Sequence, residues 1–253
     1  MLNIQNLSAG YPGKPVLQNI HARFPAGQIT ALLGPNGCGK TTLLKALCGV
    51  LPAKGQMYLE DVDLTTLPAK QRAKQVAYLS QSRPVPDLTV GDLVLCGRYP
   101  YTAYPRQYTS EDEAAAQDAM ARMGMEELAR CPISQLSGGQ RQKAYIAMAL
   151  AQDAKVILLD EPTTFLDVAH QLQLLALLRH LAREGKTVVA VLHDLQSALQ
   201  TADHILLLDK GCVAAQGTPE TVFASGQLDR VFGVEVCRTS VEDRWHYYCK
   251  PLL

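Results

Sequence analysis

Short apolar runs recur along most of the chain and alternate with segments that favour helices. The runs lie at residues 29–33, 76–79, 156–160, 186–192 and 205–209. They consist mainly of aliphatic residues, which is typical of strands that are buried on both faces. The helix-like segments lie at residues 40–49, 69–74, 168–184 and 195–201. Strands that alternate with helices in this way predict a parallel sheet covered by helices on both faces.

Three regions depart from this alternation. At the N-terminus, residues 1–7 and 16–24 predict two strands joined by a turn dense in glycine and proline, and residues 56–59 predict a short third strand. From residue 84 to about residue 153 the strand-like runs disappear, and helices are predicted at 88–95, 111–123 and 139–151. Beyond residue 211, a strand at 212–215 and a helix at 218–224 precede a tail of mixed character.

These patterns predict a single α/β domain over residues 1–253. Its core occupies about 1–83 and 154–253. A helical subdomain of about 84–153 is inserted between the two parts of the core. Within it, residues 97–108 predict an irregular segment with two prolines and four tyrosines, which are Tyr99, Tyr101, Tyr104 and Tyr108.

Composition narrows the classes of function. With 47% hydrophobic and 19% charged residues, the chain fits a globular protein with a sizeable core. A formal net charge of zero indicates no broad basic surface, so we expect no nucleic-acid partner. The seven cysteines are scattered without metal-type spacing, which favours reduced thiols over disulfides or a zinc site. Because the chain shows neither a signal-peptide pattern nor about 18 consecutive apolar residues, we expect any membrane role to come through a partner.

The most informative segment joins the first buried run to the helix that follows it. It consists of Gly34, Pro35, Asn36, Gly37, Cys38, Gly39, Lys40 and Thr41, and Thr42 continues into the helix. Glycines permit backbone conformations that turn successive N–H groups inward, and the start of a helix adds further N–H groups to such a pocket. The pattern therefore predicts a loop that binds nucleotide phosphates. A glycine-rich turn that matches by chance is the alternative, but the loop lies between a strand and a helix, where the mechanism needs it.

Side chains of this loop have separate expected roles. Lys40 places a positive charge on the β and γ phosphates, and the Thr41 hydroxyl is the expected ligand of Mg²⁺. Cys38 lies inside the loop, so we hypothesise that modification of its thiol abolishes nucleotide binding. Protection of the thiol by ATP against an alkylating reagent tests this hypothesis.

Two further segments carry candidate chemistry. Asp160 ends a buried run, where a carboxylate can hold Mg²⁺, and Glu161 after it can accept a proton from an attacking water as a general base. The second segment opens a predicted helix, whose free N–H groups and serine hydroxyl suit an anion. Its residues are Leu136, Ser137, Gly138, Gly139 and Gln140. Each segment alone also fits an ordinary turn or helix cap, but together with the phosphate loop they favour an ATPase.

The order of these segments resembles that of the ATP-binding cassette family over essentially the whole chain. The order is phosphate loop, Gln81, residues 136–140, Asp160 with Glu161, Asp167 and His193. The resemblance implies a P-loop NTPase fold with a RecA-like α/β core, an N-terminal antiparallel β element and an inserted helical subdomain. It also implies that two copies of the chain pair head to tail with ATP and Mg²⁺. Each ATP then lies between the phosphate loop of one copy and residues 136–140 of the other.

The same resemblance implies roles for residues at matching positions. Tyr11 matches the aromatic residue that stacks on adenine, and Gln81 matches the glutamine that reaches Mg²⁺ and the attacking water. His193 matches the histidine that contacts the γ-phosphate, and Asp167 matches the aspartate that crosses to the partner copy. The chain departs from the family pattern at Phe165, where a small residue is common.

A narrower resemblance indicates one group within the family. Residues 97–101, 147–152 and 161–171 resemble cassettes of bacterial importers for iron–siderophore complexes, haem and cobalamin, and are most similar to the ferric citrate and ferric hydroxamate type. This implies a peripheral ATPase on the cytoplasmic face of the inner membrane. A surface near residues 81–108 would contact a separate permease, to which a solute-binding protein delivers the chelate.

Other functions remain open at this point. They are a cassette protein outside transport, the motor of another transporter class such as an exporter, and a different phosphate-loop enzyme such as a small-molecule kinase. Residues 136–140 argue against the kinase, and the balanced charge argues against a role on nucleic acid. The sequence indicates neither the transported chelate nor a role for residues 225–253.

Overall fold

The computed structural model describes residues 1–81, 83, 85–103, 105, 107–164, 166–242 and 244–251. Twelve strands lie in these ranges: β1 Leu2–Tyr11, β2 Lys14–Phe24, β3 Ile29–Leu33, β4 Ala53–Leu59, β5 Val62–Asp63, β6 Val76–Leu79, β7 Val156–Asp160, β8 Thr187–Val191, β9 His204–Asp209, β10 Cys212–Gly217, β11 Val234–Val241 and β12 Arg244–Pro251. Nine α-helices lie in the same ranges: α1 Lys40–Cys48, α2 Ala69–Ala73, α3 Val90–Leu95, α4 Ser110–Arg122, α5 Gly138–Ala151, α6 Val168–Arg183, α7 Leu195–Thr201, α8 Pro219–Ala224 and α9 Gln227–Phe232. Phe165 and Tyr104 lie outside the described residues.

The strands form three sheets. A four-stranded antiparallel sheet has the order β2-β1-β4-β5, a six-stranded sheet has the order β10-β9-β3-β8-β7-β6, and β11 pairs with β12 in a hairpin. Five strands of the large sheet are parallel, but β10 runs antiparallel to β9 at its edge. The five runs that predicted a parallel sheet are thus parallel, and the short strand predicted at 212–215 joins their edge as antiparallel β10. The direction of β10 follows from the two-residue turn at Lys210 and Gly211, both with positive φ, since such a turn joins antiparallel neighbours.

Burial on both faces explains the continuous apolar runs of the central strands. All residues of β3, β7 and β8 are buried. Successive side chains of β3 enter different layers: Leu32 packs with α1 and the four-stranded sheet, whereas Ala31 and Leu33 pack with α5, α6 and α7. The large sheet thus lies between two apolar layers, as the pattern predicted.

The N-terminal strands are longer than the sequence predicted. Tyr11 pairs with Lys14, so that only Pro12 and Gly13 form the turn between β1 and β2. Gly13 has a φ of 73°, which favours glycine at this position. The cluster of glycine and proline thus marked the turn correctly but not its length, because the strands continue through most of residues 9–15.

Between residues 84 and 153, the described part of the chain contains three α-helices and, apart from one isolated bridge, no strand. These are α3, α4 and α5, as predicted. The segment predicted to be irregular instead begins with a 3-10 helix, Cys96–Tyr101. It is held by Arg98, which pairs with Asp112 at 2.9 Å and lies 3.8 Å from the centroid of the Tyr101 ring. The division of the chain into a core and a helical subdomain stays a prediction.

The C-terminal tail forms α9 and the hairpin of β11 and β12. Tyr247 is buried and meets the Phe223 ring of α8 edge-on, with the ring centroids 5.6 Å apart. His246 shares a hydrogen bond of 2.9 Å with Gln200 of α7. These contacts give part of residues 225–253 a packing role. Among the described residues, no helix combines the length and apolar character that crossing a membrane requires.

Candidate functional site

Four predicted site segments follow neighbouring parallel strands of the large sheet. The phosphate loop follows β3, Gln81 follows β6, Asp160 ends β7 with Glu161 next, and His193 follows β8. The carboxyl ends of parallel strands meet at one edge of a sheet. The fold therefore brings these segments to a common edge.

The backbone or the packing of the chain itself favours glycine at each glycine of the phosphate loop, since Gly37 has a φ of 80° although a Cβ there would meet no atom within 4 Å. Gly34 and Gly39 have φ values of 145° and 110°. A Cβ on Gly34 would lie 2.3 Å from the Leu208 carbonyl oxygen, and one on Gly39 would lie 2.7 Å from Leu17 Cδ2. Gly39 caps α1 without a side chain, so it supplies no acceptor for the first N–H groups of the helix. Those groups are suited to bind an anion.

Lys40 closes over this loop. The residue is 8% exposed, and its Nζ donates hydrogen bonds to the carbonyl oxygens of Gly34 at 2.6 Å and Pro35 at 2.9 Å. Carbonyl oxygens carry only partial negative charge, so they compensate a buried ammonium less completely than an anion does. The geometry therefore keeps a positive charge at the loop, where phosphate oxygens are expected.

Cys38 faces the interior of the protein. Its residue is 5% exposed, and its Sγ would lie 2.6 Å from a Cβ placed on Gly34. Burial raises the pKa of the Cys38 thiol, and the nearby positive charge of Lys40 opposes this shift only in part. Because the thiolate is the reactive form, both properties oppose the alkylation that the sequence suggested.

Asp160 provides a carboxylate that fits a divalent cation. The residue is 1% exposed, and burial raises its pKa, while hydrogen bonds with Thr41 and Tyr78 lower it. Tyr78 Oη donates to Asp160 Oδ2 at 3.3 Å, whereas the buried Oδ1 has no hydrogen-bond partner. A carboxylate and a hydroxyl are oxygen ligands of the kind that Mg²⁺ prefers. Sequence reasoning missed Tyr78, whose signal was its place on the strand that precedes Gln81.

Glu161 lies at the centre of a hydrogen-bonded cluster. Gln81 Nε2 donates to Glu161 Oε2 at 2.5 Å, and His193 Nε2 lies 2.5 Å from Glu161 Oε1. Thr164 Oγ1, which sequence reasoning missed, is 3.4 Å from Oε2. The structure thus joins the three residues that were predicted to be catalytic, and both carboxylate oxygens of Glu161 have partners.

Glu161 also has an unusual backbone. Its φ is 53°, in the left-handed region that residues with a Cβ rarely adopt. Such conformations persist where the surrounding structure enforces them, and they cluster at functional sites.

Residues 136–140 lie at the N-terminal end of α5, which they cap, rather than at the end of a strand of the large sheet. The Ser137 hydroxyl accepts a hydrogen bond from Gln140 N at 3.3 Å, and Gln140 Oε1 accepts one from Ser137 N at 3.0 Å. A Cβ on Gly138 would meet no atom within 4 Å, and one on Gly139 would meet only Leu166 Cδ2 at 3.6 Å. The chain's own packing therefore does not require glycine at either position.

Tyr11 belongs to the four-stranded sheet and not to the edge of the large sheet that carries the other site segments. It is 43% exposed at the end of β1 and lines a groove together with Pro15, Leu17 and Pro52. Leu17 also packs beside Gly39, so the groove adjoins the phosphate loop. This position is compatible with an aromatic contact to a base.

Asp167 caps α6. Its carboxylate accepts one hydrogen bond of 2.8 Å from the backbone N of His170 and also lies 2.8 Å from His170 Nδ1. The backbone N–H of His170 is the main cause that lowers the pKa of Asp167. The side chain is 65% exposed, so its outer surface is open to another molecule.

Comparison with known proteins extends these observations. A family model described as ABC transporter matches residues 17–164. The achromobactin transport ATP-binding protein of Dickeya dadantii is 41% identical over 245 residues, which cover 96% of this chain and 91% of that protein. The ferric enterobactin transport ATP-binding protein of Escherichia coli is 42% identical over 233 residues, which cover 91% and 86% respectively. The iron(3+)-hydroxamate import ATP-binding protein of Bacillus subtilis is 40% identical over 237 residues, which cover 92% and 88%.

Solved structures are similar over the same length. A chain of an inward-facing transporter of the metal-chelate ABC type matches with a TM-score of 0.84 and 30% identity, covering 100% of this chain and 97% of that one. A dimeric bacterial ABC transporter cassette matches with a TM-score of 0.76 and 27% identity, covering 87% and 99%. A dimeric cassette bound to ADP and Pi matches with a TM-score of 0.75 and 27% identity, covering 87% and 99%.

Proposed function

Since this chain belongs to the ABC transporter family of ATP-binding cassettes, we propose that it is the ATPase subunit of an importer for an iron–siderophore or related metal chelate. The assignment to the family rests on the family model and on relatives about 40% identical over most of the chain. The chain is accordingly an ATPase that binds ATP. The kind of cargo is inferred from the names of these relatives, which transport achromobactin, ferric enterobactin and iron hydroxamates.

The cluster at the sheet edge carries the enzymatic part of the proposal. The phosphate loop and Lys40 hold the phosphates, and Glu161 accepts the proton of the attacking water as that water bonds to the γ-phosphorus. The bond from the γ-phosphorus to the oxygen of the departing ADP breaks in the same step. Gln81 and His193 orient the water and the γ-phosphate. Mg²⁺, held by Thr41, Asp160 and Gln81, would neutralise charge on the phosphates when bound.

The open glycines at residues 138 and 139 support a two-copy site. We propose that Ser137, Gly138, Gly139 and Gln140 bind the ATP of a partner copy, with Asp167 reaching across the same interface and Tyr11 on the adenine. ATP then holds two copies together, and hydrolysis removes that attraction. The resulting difference in free energy drives the permease between two states.

The permease would bind the helical subdomain at residues 84–153, near residues 81–108. Tyr99 and Tyr108 are 46% and 38% exposed there, and exposed tyrosines are enriched at protein interfaces. We therefore propose that the chain acts at the cytoplasmic face of the bacterial inner membrane as a peripheral subunit. A solute-binding protein is an indirect partner, and we expect no nucleic-acid partner.

Reconstitution tests the proposal. The chain is co-purified from its native membranes with the permease, and ATP-dependent uptake of radioactive ferric chelates into vesicles is measured. We expect uptake that stops with Glu161→Gln, while that variant still binds ATP and accumulates as a dimer. Phosphorylation of a small acceptor, salt-sensitive retention on nucleic acid, or outward movement of the cargo would contradict the proposal. Unchanged steady hydrolysis by Glu161→Gln would contradict the role of Glu161 as the base.

A further inference from the structure

A buried polar side chain connects α5 to the turn that carries Glu161. Gln142 lies one turn into α5 and is 7% exposed. Its Oε1 accepts a hydrogen bond from Arg83 Nη2 at 2.9 Å, and its Nε2 donates to the Pro162 carbonyl oxygen at 2.7 Å. Both ends of the amide therefore have partners. Removing Gln142 would leave those partners unsatisfied in a buried place, which is costly.

Arg83 anchors the other end of this connection. Its Nε donates to the Ser80 carbonyl oxygen at 2.6 Å, and its guanidinium lies 4.7 Å from the centroid of the Tyr145 ring on α5. A planar guanidinium can bond a carbonyl and an amide while it stacks on an aromatic ring, which an ammonium cannot do. Arg83 thus ties the segment that contains Gln81 to α5.

The connection ends next to the proposed general base. Pro162 directly follows Glu161, whose φ of 53° is left-handed. The hydrogen bond to the Pro162 carbonyl oxygen restrains the peptide between Pro162 and Thr163. Because the proline ring fixes its own φ, this restraint extends to the preceding peptide and to the direction in which the Glu161 side chain leaves the backbone. Gln81, two residues before Arg83, holds the same carboxylate directly. A shift of α5 therefore reaches Glu161 along two routes.

The two ends of this network serve different ATP molecules under the proposed function. Ser137 and Gly138, at the start of α5, bind the ATP of the partner copy, whereas Glu161 acts on the chain's own ATP. We infer that Arg83 and Gln142 are positioning residues that couple α5 to Glu161. When α5 closes on the ATP of the partner copy, the network then orients Glu161 for hydrolysis of the chain's own ATP. This inference rests on the two-copy site of the proposed function.

Cooperativity of hydrolysis tests the coupling. The ATPase rate of the purified chain is measured against ATP concentration, at protein concentrations where it dimerises. Gln142→Leu removes both hydrogen bonds, so the Hill coefficient should fall from its wild-type value toward one. We expect kcat to fall about tenfold, because the general base is misplaced, while half-saturation changes less than about threefold. Gln142→Glu keeps the acceptor for Arg83 and loses the donor to Pro162, so it should lower the Hill coefficient in the same direction but less than Gln142→Leu does.

A glutamine directly after the same helix provides the control. Gln152, which caps the C-terminus of α5, donates to the carbonyl oxygens of Ala73 at 2.5 Å and Val76 at 3.0 Å. Gln152→Leu therefore removes comparable hydrogen bonds without touching the turn of Glu161. We expect a lower melting temperature and the wild-type Hill coefficient.

Three outcomes separate the inference from the function on which it rests. A folded Gln142→Leu chain that keeps the wild-type Hill coefficient overturns the coupling. If that variant does not fold, Gln142→Glu and Arg83→Lys decide in the same way. A wild-type Hill coefficient of one in a chain whose specific activity rises with protein concentration also overturns the coupling. A wild-type rate per chain that is independent of concentration instead overturns the two-copy site.

Discussion

Two glycine-rich segments of this protein lie at the start of a helix, but they differ in whether the fold itself needs glycine, as Gly34 and Gly138 show. In the phosphate loop, a Cβ on Gly34 would collide with the Leu208 carbonyl group, so the fold itself needs glycine there. In residues 136–140, a Cβ on Gly138 would meet open space. A glycine that its own chain does not require points to a close approach by something else. The comparison therefore supports our proposal that the phosphate loop binds phosphates on its own, whereas residues 136–140 form a surface that another molecule completes.

We expect the largest effect when two inactive variants are mixed, because this experiment tests whether the two segments act together in one site between two copies. Lys40→Ala should lower ATPase activity at least about 100-fold through loss of phosphate binding, and Gly138→Val should do the same by blocking the partner's ATP. Mixed dimers contain one site in which both segments are intact. Half of randomly paired dimers carry one such site, so equal mixing should restore at most roughly a quarter of the wild-type rate. If α5 is coupled to Glu161 as inferred above, the restored rate should be nearer a fortieth, about tenfold lower, because Glu161 of the intact site belongs to the copy with Gly138→Val.

Each variant is first measured alone and then in a titration against the other. The control mixes Lys40→Ala with Glu161→Gln, which both damage the phosphate-loop side. In those mixed dimers each site lacks one essential group, so no activity should return. No rescue in the first mixture would mean that one copy owns the complete site. Rescue in the control would instead mean that Lys40 and Glu161 of one copy serve different sites.

We expect the next largest difference between the two segments in the free energy of unfolding of their glycine variants. Gly34→Ala forces a Cβ into a backbone oxygen at a positive φ, and should lower the free energy of unfolding by about 3 kcal/mol. Gly138→Ala should leave that free energy within about 0.5 kcal/mol of wild type, or raise it, because alanine favours helices. Urea unfolding of both variants without nucleotide measures the difference. Equal destabilisation would show that the chain itself requires both glycines.

Prediction from the sequence succeeded where neighbouring residues decide the structure. The run at β3, the glycines after it and the cap of α1 are all local, and so is the capping box in which Thr109 and Asp112 start α4. The parallel order of the strands then followed, which brought Gln81, Glu161 and His193 to one edge.

Contacts between distant segments were not predictable in this way. Arg83 and Gln142 are 59 residues apart, and neither belongs to a motif that was identified. The direction of β10 depends on the φ values of two turn residues, and the hairpin of β11 and β12 has no clear alternation of buried and exposed residues. Only the folded chain shows these features.

We expect a smaller difference between the two segments in the rate at which their thiols are labelled. Cys38 is buried and its pKa is raised, so at neutral pH it should react with iodoacetamide about tenfold more slowly than exposed Cys212. A thiol introduced as Gly138→Cys should react as fast as Cys212. Mass spectrometry of tryptic peptides at several times measures all three rates. Fast labelling of Cys38 in the folded chain would contradict the closed packing of the phosphate loop.

The smallest expected effect concerns Ser137, whose hydroxyl caps α5 and is also proposed to bind the partner's ATP. The Ser137 hydroxyl accepts the Gln140 N–H, and replacement of such a cap by alanine costs about 1 kcal/mol. Ser137→Ala should therefore lose about that much stability, whereas Ser137→Asn, which also caps helices well, should lose little. Both variants should still lose ATPase activity, because neither keeps the hydroxyl that we propose binds a phosphate of the partner's ATP. If Ser137→Asn retained full activity, capping would account for Ser137 and the hydroxyl would have no separate part in binding.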